Sequence, residues 1–179
     1  AFASNYNDND LHCALQGTLS EHVAGYVVVQ NGALVAEGYS EGSSASDLNP
    51  AFSATKSWSG MIIGLLVDKR LIQLNTTLGE VFPDDSTWVQ IIDAQEKRTL
   101  SLQELLTFTS GLSETSEISV AIAEQEALSG VLNATAFNAQ QRGTYEYLPT
   151  NHILAHIVYQ VTGSTPLEVV TTETGAFGA

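Results

Sequence analysis

Residues 52–57 read Phe52-Ser53-Ala54-Thr55-Lys56-Ser57 and open a stretch that stays largely apolar to about Arg70. Within it Trp58, Ile62, Leu65 and Leu66 recur at spacings of three and four, which sets side chains on one face of a helix. The spacing predicts a helix from Phe52 to about Arg70, with that stripe buried. It also sets Ser53 and Lys56 on one face, within interacting reach. Ser53 is expected in the first turn, where unsatisfied backbone N–H groups and the helix dipole favour negative charge. A serine hydroxyl needs a base before it attacks. A lysine can serve if apolar surroundings disfavour its ammonium form, and Phe52 and Trp58 are apolar, with no carboxylate before Asp68. The bland alternative is a chance Ser-x-x-Lys spacing, with Lys56 laid along a helix face and its head in water.

Upstream, Tyr26-Val27-Val28-Val29 and Leu34-Val35-Ala36 flank Asn31-Gly32, a pair that favours a tight hairpin turn. Residues 1–10 read as an irregular polar lead-in and residues 40–50, with four Ser, a Gly, an Asp and a Pro, as a loop. Downstream, Leu71 to Phe82 reads as a return loop. Ser101 is a helix N-cap whose capping box is completed by Glu104, with Gly111 at the helix exit. Ser119 to Leu128 and Asn151 to Val161 are further helices, the second stopped near Gly163, and Pro166 opens a last one. The order is a hairpin followed mainly by helices. A two-stranded hairpin is marginal alone and has open edges, and no third strand is visible downstream.

The chain has 179 residues, enough for one domain with a sizeable core. Six basic residues against 20 acidic ones give a net charge of −14, which opposes binding to nucleic acid or to anionic membranes. The acidic excess otherwise reads as a solubility feature. Cys13 is the sole cysteine, so no internal disulfide forms, and it reads as a buried or partly buried packing residue. No apolar run reaches membrane-spanning length.

Tyr147, within Gly143-Thr144-Tyr145-Glu146-Tyr147-Leu148-Pro149-Thr150-Asn151, is a second candidate for chemistry. A tyrosine beside a lysine can relay a proton when the cation favours its phenolate; alternatively it packs a loop. His152 and His156, four apart on a predicted helix, lack the glutamate and third ligand of a metal site. They read as structural, and Glu114 and Glu117 as solvated. No cofactor motif and no glycine-rich phosphate loop is found. Asn75-Thr76-Thr77 and Asn133-Ala134-Thr135 fit the glycosylation pattern, which is short enough to arise by chance.

Taken in order, these segments resemble the superfamily of serine β-lactamases of class C, penicillin-binding DD-peptidases and their esterase and amide-hydrolase relatives. The hairpin around Asn31-Gly32 resembles the first two strands of the family sheet. Phe52 to Ser57 resembles the nucleophile motif at the head of the central helix. Leu100 to Leu112, LSLQELLTFTSGL, resembles a family segment usually seen as LLTHTSGL, with Phe108 where histidine is usual. Gly143 to Asn151, with Ile153, Leu154 and Val161-Thr162-Gly163, resembles the Tyr-x-Asn region and its helix, with Pro149 where the asparagine is usual.

The resemblance implies an α/β (α+β) fold of the β-lactamase and transpeptidase kind, an antiparallel sheet with a helical domain. It implies a partial domain over residues 1–179: hairpin and loop at 20–50, nucleophile helix at 51–72 and a mostly helical region at 73–179. The C-terminal strands, with a Lys-Thr-Gly or His-x-Gly motif, are expected outside this chain, supplied by the rest of a parent protein or by another chain. The isolated piece is then expected to be inactive or poorly folded. The resemblance assigns Ser53 as acylated nucleophile, Lys56 as its proton acceptor and Tyr147 as the relay to the leaving group. It implies a small-molecule ester or amide substrate, no cofactor and no metal, and a periplasmic, cell-envelope or secreted location. The Pro149 departure favours a broad hydrolase over a true β-lactamase or DD-peptidase. A catalytically inactive relative that binds or scaffolds, and a helical domain with a chance motif, are the rivals.

Overall fold

The computed structural model describes residues 8–17, 19, 23–115, 127–148 and 150–174, in two compact units, Ala1–Pro50 and Ala51–Ala179. Among the described residues it is a mixed α/β arrangement of two small antiparallel sheets and a helical region.

In the first unit, helix α1 (Asp8–Gln16) precedes strands β1 (Gly25–Gln30) and β2 (Ala33–Tyr39). The helix replaces part of the expected irregular lead-in. Cys13 is exposed, not buried, because Leu11 and Leu15, four apart, form the half-buried face of α1 and Cys13 lies off it. The hairpin forms as its turn pair predicts: Asn31 and Gly32 both have positive φ, 52° and 78°, as a turn matched to strand twist requires. Tyr26 pairs with Gly38 and Gly25 with Tyr39. Each ring lies over the opposite glycine, and a Cβ on Gly38 would stand 2.6 Å from the Tyr26 ring. Among the described residues no third strand joins this sheet, and Val27, Val29 and Leu34 are more than half exposed.

The second unit is built on α2 (Thr55–Asp68) and α7 (Asn151–Thr162). Between them lie α3 (Leu78–Val81), α4 (Ala94–Lys97), α5 (Leu102–Leu106), β3 (Leu112–Glu114), α6 (Leu128–Asn133) and β4 (Thr135–Phe137), and α8 (Pro166–Thr174) follows. The buried stripe of α2 is Ile62, Ile63 and Leu66. Leu65 is half-buried and Trp58 is 50% exposed. The burial axis therefore runs through 62, 63 and 66, about a quarter-turn from the one that Trp58 would define. Leu100, Leu102, Leu105, Leu132, Ile153 and Ile157 close the core against that stripe.

The 71–82 return segment contains the one-turn helix α3, held by a second capping box between Thr77 and Glu80. Helix α5 has the expected Ser101–Glu104 box but ends at Leu106. Gly111, with φ 74°, does not end the helix; it leads into β3, where a Cβ would meet the Asn138 carbonyl at 2.7 Å. The β3–β4 pair is an addition to the expected helical order. Of the predicted helix at 119–128, residues 119–126 lie outside the described residues; α6 begins at Leu128. Gly163 ends α7 in the left-handed region, its N–H bonded to the Tyr159 carbonyl. Thr165 and Glu168 cap α8 reciprocally. No helix among the described residues is long and apolar enough to cross a membrane.

Candidate active site

Ser53 lies in a single 3-10 turn, Phe52–Ala54, that leads directly into α2. It is thus one turn before the α-helix proper, and Lys56 is the second residue of α2. Phe52 carries a positive φ of 44° and is 82% exposed. A bulky residue in the left-handed region costs roughly 1–3 kcal/mol. Trp58 is half exposed.

The Tyr147 phenol donates to Ser53 Oγ at 2.6 Å, and Lys56 Nζ donates to the same oxygen at 3.4 Å. Lys56 Nζ also stands 4.7 Å from the centre of the Tyr147 ring, a cation–π distance. Thus two side chains, one of them 94 positions away in the chain, converge on the Ser53 hydroxyl. The Ser53 hydroxyl and then the Lys56 ammonium hold the Tyr147 phenol below its ordinary range, against a small opposing effect of burial and of the Glu114 charge. His152 is held towards its neutral form by burial, the Lys56 charge and His156.

Tyr147 is placed by the chain around it. The Arg142 guanidinium pairs with Glu104, the capping residue of α5, and donates to Thr99 Oγ1 and the Thr99 carbonyl. The Gly143 N–H bonds to the Thr109 carbonyl and the Glu146 N–H to the Phe108 carbonyl, at 2.8 Å each. Leu148 is fully buried beside the half-exposed Tyr147, so alternation along an extended segment turns one side chain to the core and its neighbour to Ser53. Arg142, Glu104 and Phe108 were not singled out as site residues from sequence. Glu104 carried a capping signal, but nothing in the sequence pairs it with Arg142. Pro149 lies outside the described residues, and among the described residues the buried Asn151 Oδ1 has no hydrogen-bond partner.

Among the described residues, no group of three or more His, Cys, Asp or Glu could hold a metal ion. His152 and His156 lie on α7 and form no such cluster. The clefts lined by Arg70, Gln73 and Asn75 lie beyond the C-terminal end of α2, and none of the three converging residues lines them.

A hairpin followed by a helical region is the arrangement expected of a β-lactamase and penicillin-binding-protein-like domain. Residues 15–175 match the family described as Beta-lactamase, and the chain belongs to that family. Solved structures that share the fold include the following two. One, titled "Putative 6-aminohexanoate-dimer hydrolase from Bacillus anthracis", is 19% identical with a TM-score of 0.70 over 97% of this chain and 47% of its own. The other, FmtA from Staphylococcus aureus, is 18% identical with a TM-score of 0.69 over 98% of this chain and 51% of its own. The chain thus spans about half the length of these structures. No curated protein sequence matches it.

Proposed function

We propose that the protein carrying this chain is a serine hydrolase that acts by acyl transfer on an ester or amide, with Ser53 as nucleophile. The observation that supports it is the convergence of the Tyr147 phenol and the Lys56 ammonium on Ser53 Oγ. In this reading Ser53 Oγ attacks the acyl carbon as its proton passes to the Tyr147 oxygen. This reading takes Tyr147, once ionised to the phenolate, as the acceptor because its oxygen is nearer to Ser53 Oγ than Lys56 Nζ is; Lys56 as the acceptor is the other assignment. Lys56 stabilises the phenolate and restores its charge balance. The proton then goes from Tyr147 to the leaving oxygen or nitrogen as the acyl–heteroatom bond breaks. Water attacks the acyl-enzyme, with Tyr147 taking its proton and Ser53 regaining one. The Ser53 backbone N–H is one oxyanion donor.

The substrate class stays broad: ester, linear amide, peptide or β-lactam. One structural relative is titled a hydrolase of an amino-acid dimer, which keeps linear amides in that set. An intact-mass measurement on the full-length protein, treated separately with a fluorophosphonate and a penicillin and compared with Ser53→Ala, tests the reading. Adducts with both reagents that vanish in Ser53→Ala favour penicillin-binding chemistry. A fluorophosphonate adduct alone favours an esterase or amide hydrolase. No adduct in folded protein favours a binding or scaffolding relative.

A further inference from the structure

We propose that Phe108 is a positioning residue that holds the Tyr147 phenol on Ser53, an inference that rests on the proposed acyl-transfer reading. The Phe108 ring lies against two tyrosines at once. Its centre is 5.3 Å from that of Tyr147, tilted by 35°, and 5.8 Å from that of Tyr145, edge-on at 75°. Its carbonyl accepts from the N–H of Glu146, the residue between them, at 2.8 Å. One residue therefore grips a three-residue segment at three consecutive positions, by ring, backbone and ring. The grip is set where the local backbone is unfavourable. Phe108 has φ 57°, a left-handed conformation that a bulky side chain rarely adopts.

That strain is informative because the helix could end more cheaply. A glycine would satisfy the left-handed position after α5 at no steric cost, yet the chain places an aromatic ring there. The conformation turns the ring to the Tyr145–Tyr147 segment, and it also packs against the core. A phenyl ring carries no charge and no hydrogen-bonding group. It can fix the tilt of Tyr147 without competing for the phenol oxygen, which stays committed to Ser53 at 2.6 Å. Lys56 Nζ also stands 4.7 Å from the Tyr147 ring centre. Phe108 and Lys56 together restrict how that ring can swing.

The test compares Phe108→Leu and Phe108→Tyr with the parent residue in the full-length protein. Leucine keeps the apolar bulk that packs on the core; tyrosine keeps the ring. Fluorophosphonate labelling of Ser53 is expected to slow about 10-fold or more in Phe108→Leu and to stay within about 3-fold in Phe108→Tyr. Fluorotyrosine placed at position 147 reads the phenol without turnover. Its titration midpoint by fluorine NMR is expected to rise in Phe108→Leu and to hold in Phe108→Tyr. An unchanged midpoint in Phe108→Leu overturns the inference, as does a loss in both variants that follows their melting temperatures. If Ser53 never labels but the midpoint moves as expected, the acyl-transfer reading fails and the positioning role stands.

Discussion

Ser53 is a hydroxyl with two partners, and the proposed reading uses them differently: Tyr147, once ionised, takes its proton, and the Lys56 ammonium stabilises that phenolate. Because the Ser53 hydroxyl and the Lys56 charge both favour the Tyr147 phenolate, that form exists at lower pH than for a free phenol, whose pKa is about 10. Labelling of Ser53 is expected to rise with pH along a limb whose midpoint lies below that value. Removing the cation in Lys56→Gln is expected to shift the midpoint upward. Tyr147→Phe is expected to remove the limb and slow labelling roughly 10²–10⁴-fold, the usual contribution of a positioned base. A rate-against-pH series on the three proteins checks this, and an unchanged limb in Tyr147→Phe assigns the proton to Lys56. Ser-x-x-Lys was legible because both residues lie within one helical turn. The tyrosine was legible as a candidate from its surroundings, but its distance from Ser53 was not.

The elements that were readable are those whose ends are written locally. The Ser101–Glu104 box forms as its spacing requires, with Glu104 accepting from the Ser101 N–H at 2.8 Å and Oγ at 2.7 Å. Thr77–Glu80 and Thr165–Glu168 carry the same signal and form the same box. Burial acts to raise the Glu104 pKa, but Arg142 and Ser101 outweigh it and hold the carboxylate ionised. Ser101→Ala is expected to cost about 1 kcal/mol of stability, the usual value of an N-cap, and urea unfolding measures it. A much larger loss would show that the cap also carries the Arg142 anchorage through Glu104. The strands β3 and β4 were not readable for the opposite reason. Three residues each, they have too little alternation to register, and their pairing of Leu112 with Phe137 depends on the chain between.

Across the larger unit, one cation illustrates what packing adds. Lys97 is fully buried, and its ammonium donates to the Leu132 carbonyl at 2.7 Å and the Thr135 carbonyl at 2.8 Å. It thereby caps α6 and joins it to β4. Burial pulls its pKa down, opposed by the charge of Asp93. Lys97→Met fills similar volume but leaves both carbonyls without that partner, and is expected to cost roughly 3 kcal/mol. Equilibrium unfolding checks it; a loss under about 1 kcal/mol would mean that water replaces the ammonium there. Nothing in the sequence around Lys97 distinguishes it from a surface lysine at a helix C-terminus.

The sequence by itself determined the hairpin, the α2 and α7 helices, the Ser101–Glu104 box, the stop at Gly163 and the pairing of Ser53 with Lys56. All of these rest on φ preferences, side-chain periodicity or hydrogen bonds across a few residues. Tertiary structure alone decided which face of α2 is buried, that Arg142 anchors on Glu104 and Thr99, that Phe108 clasps two tyrosines, and that the Tyr147 phenol reaches Ser53. Those contacts join positions some 37 to 94 residues apart, where no local periodicity operates and only the closed core fixes the distance.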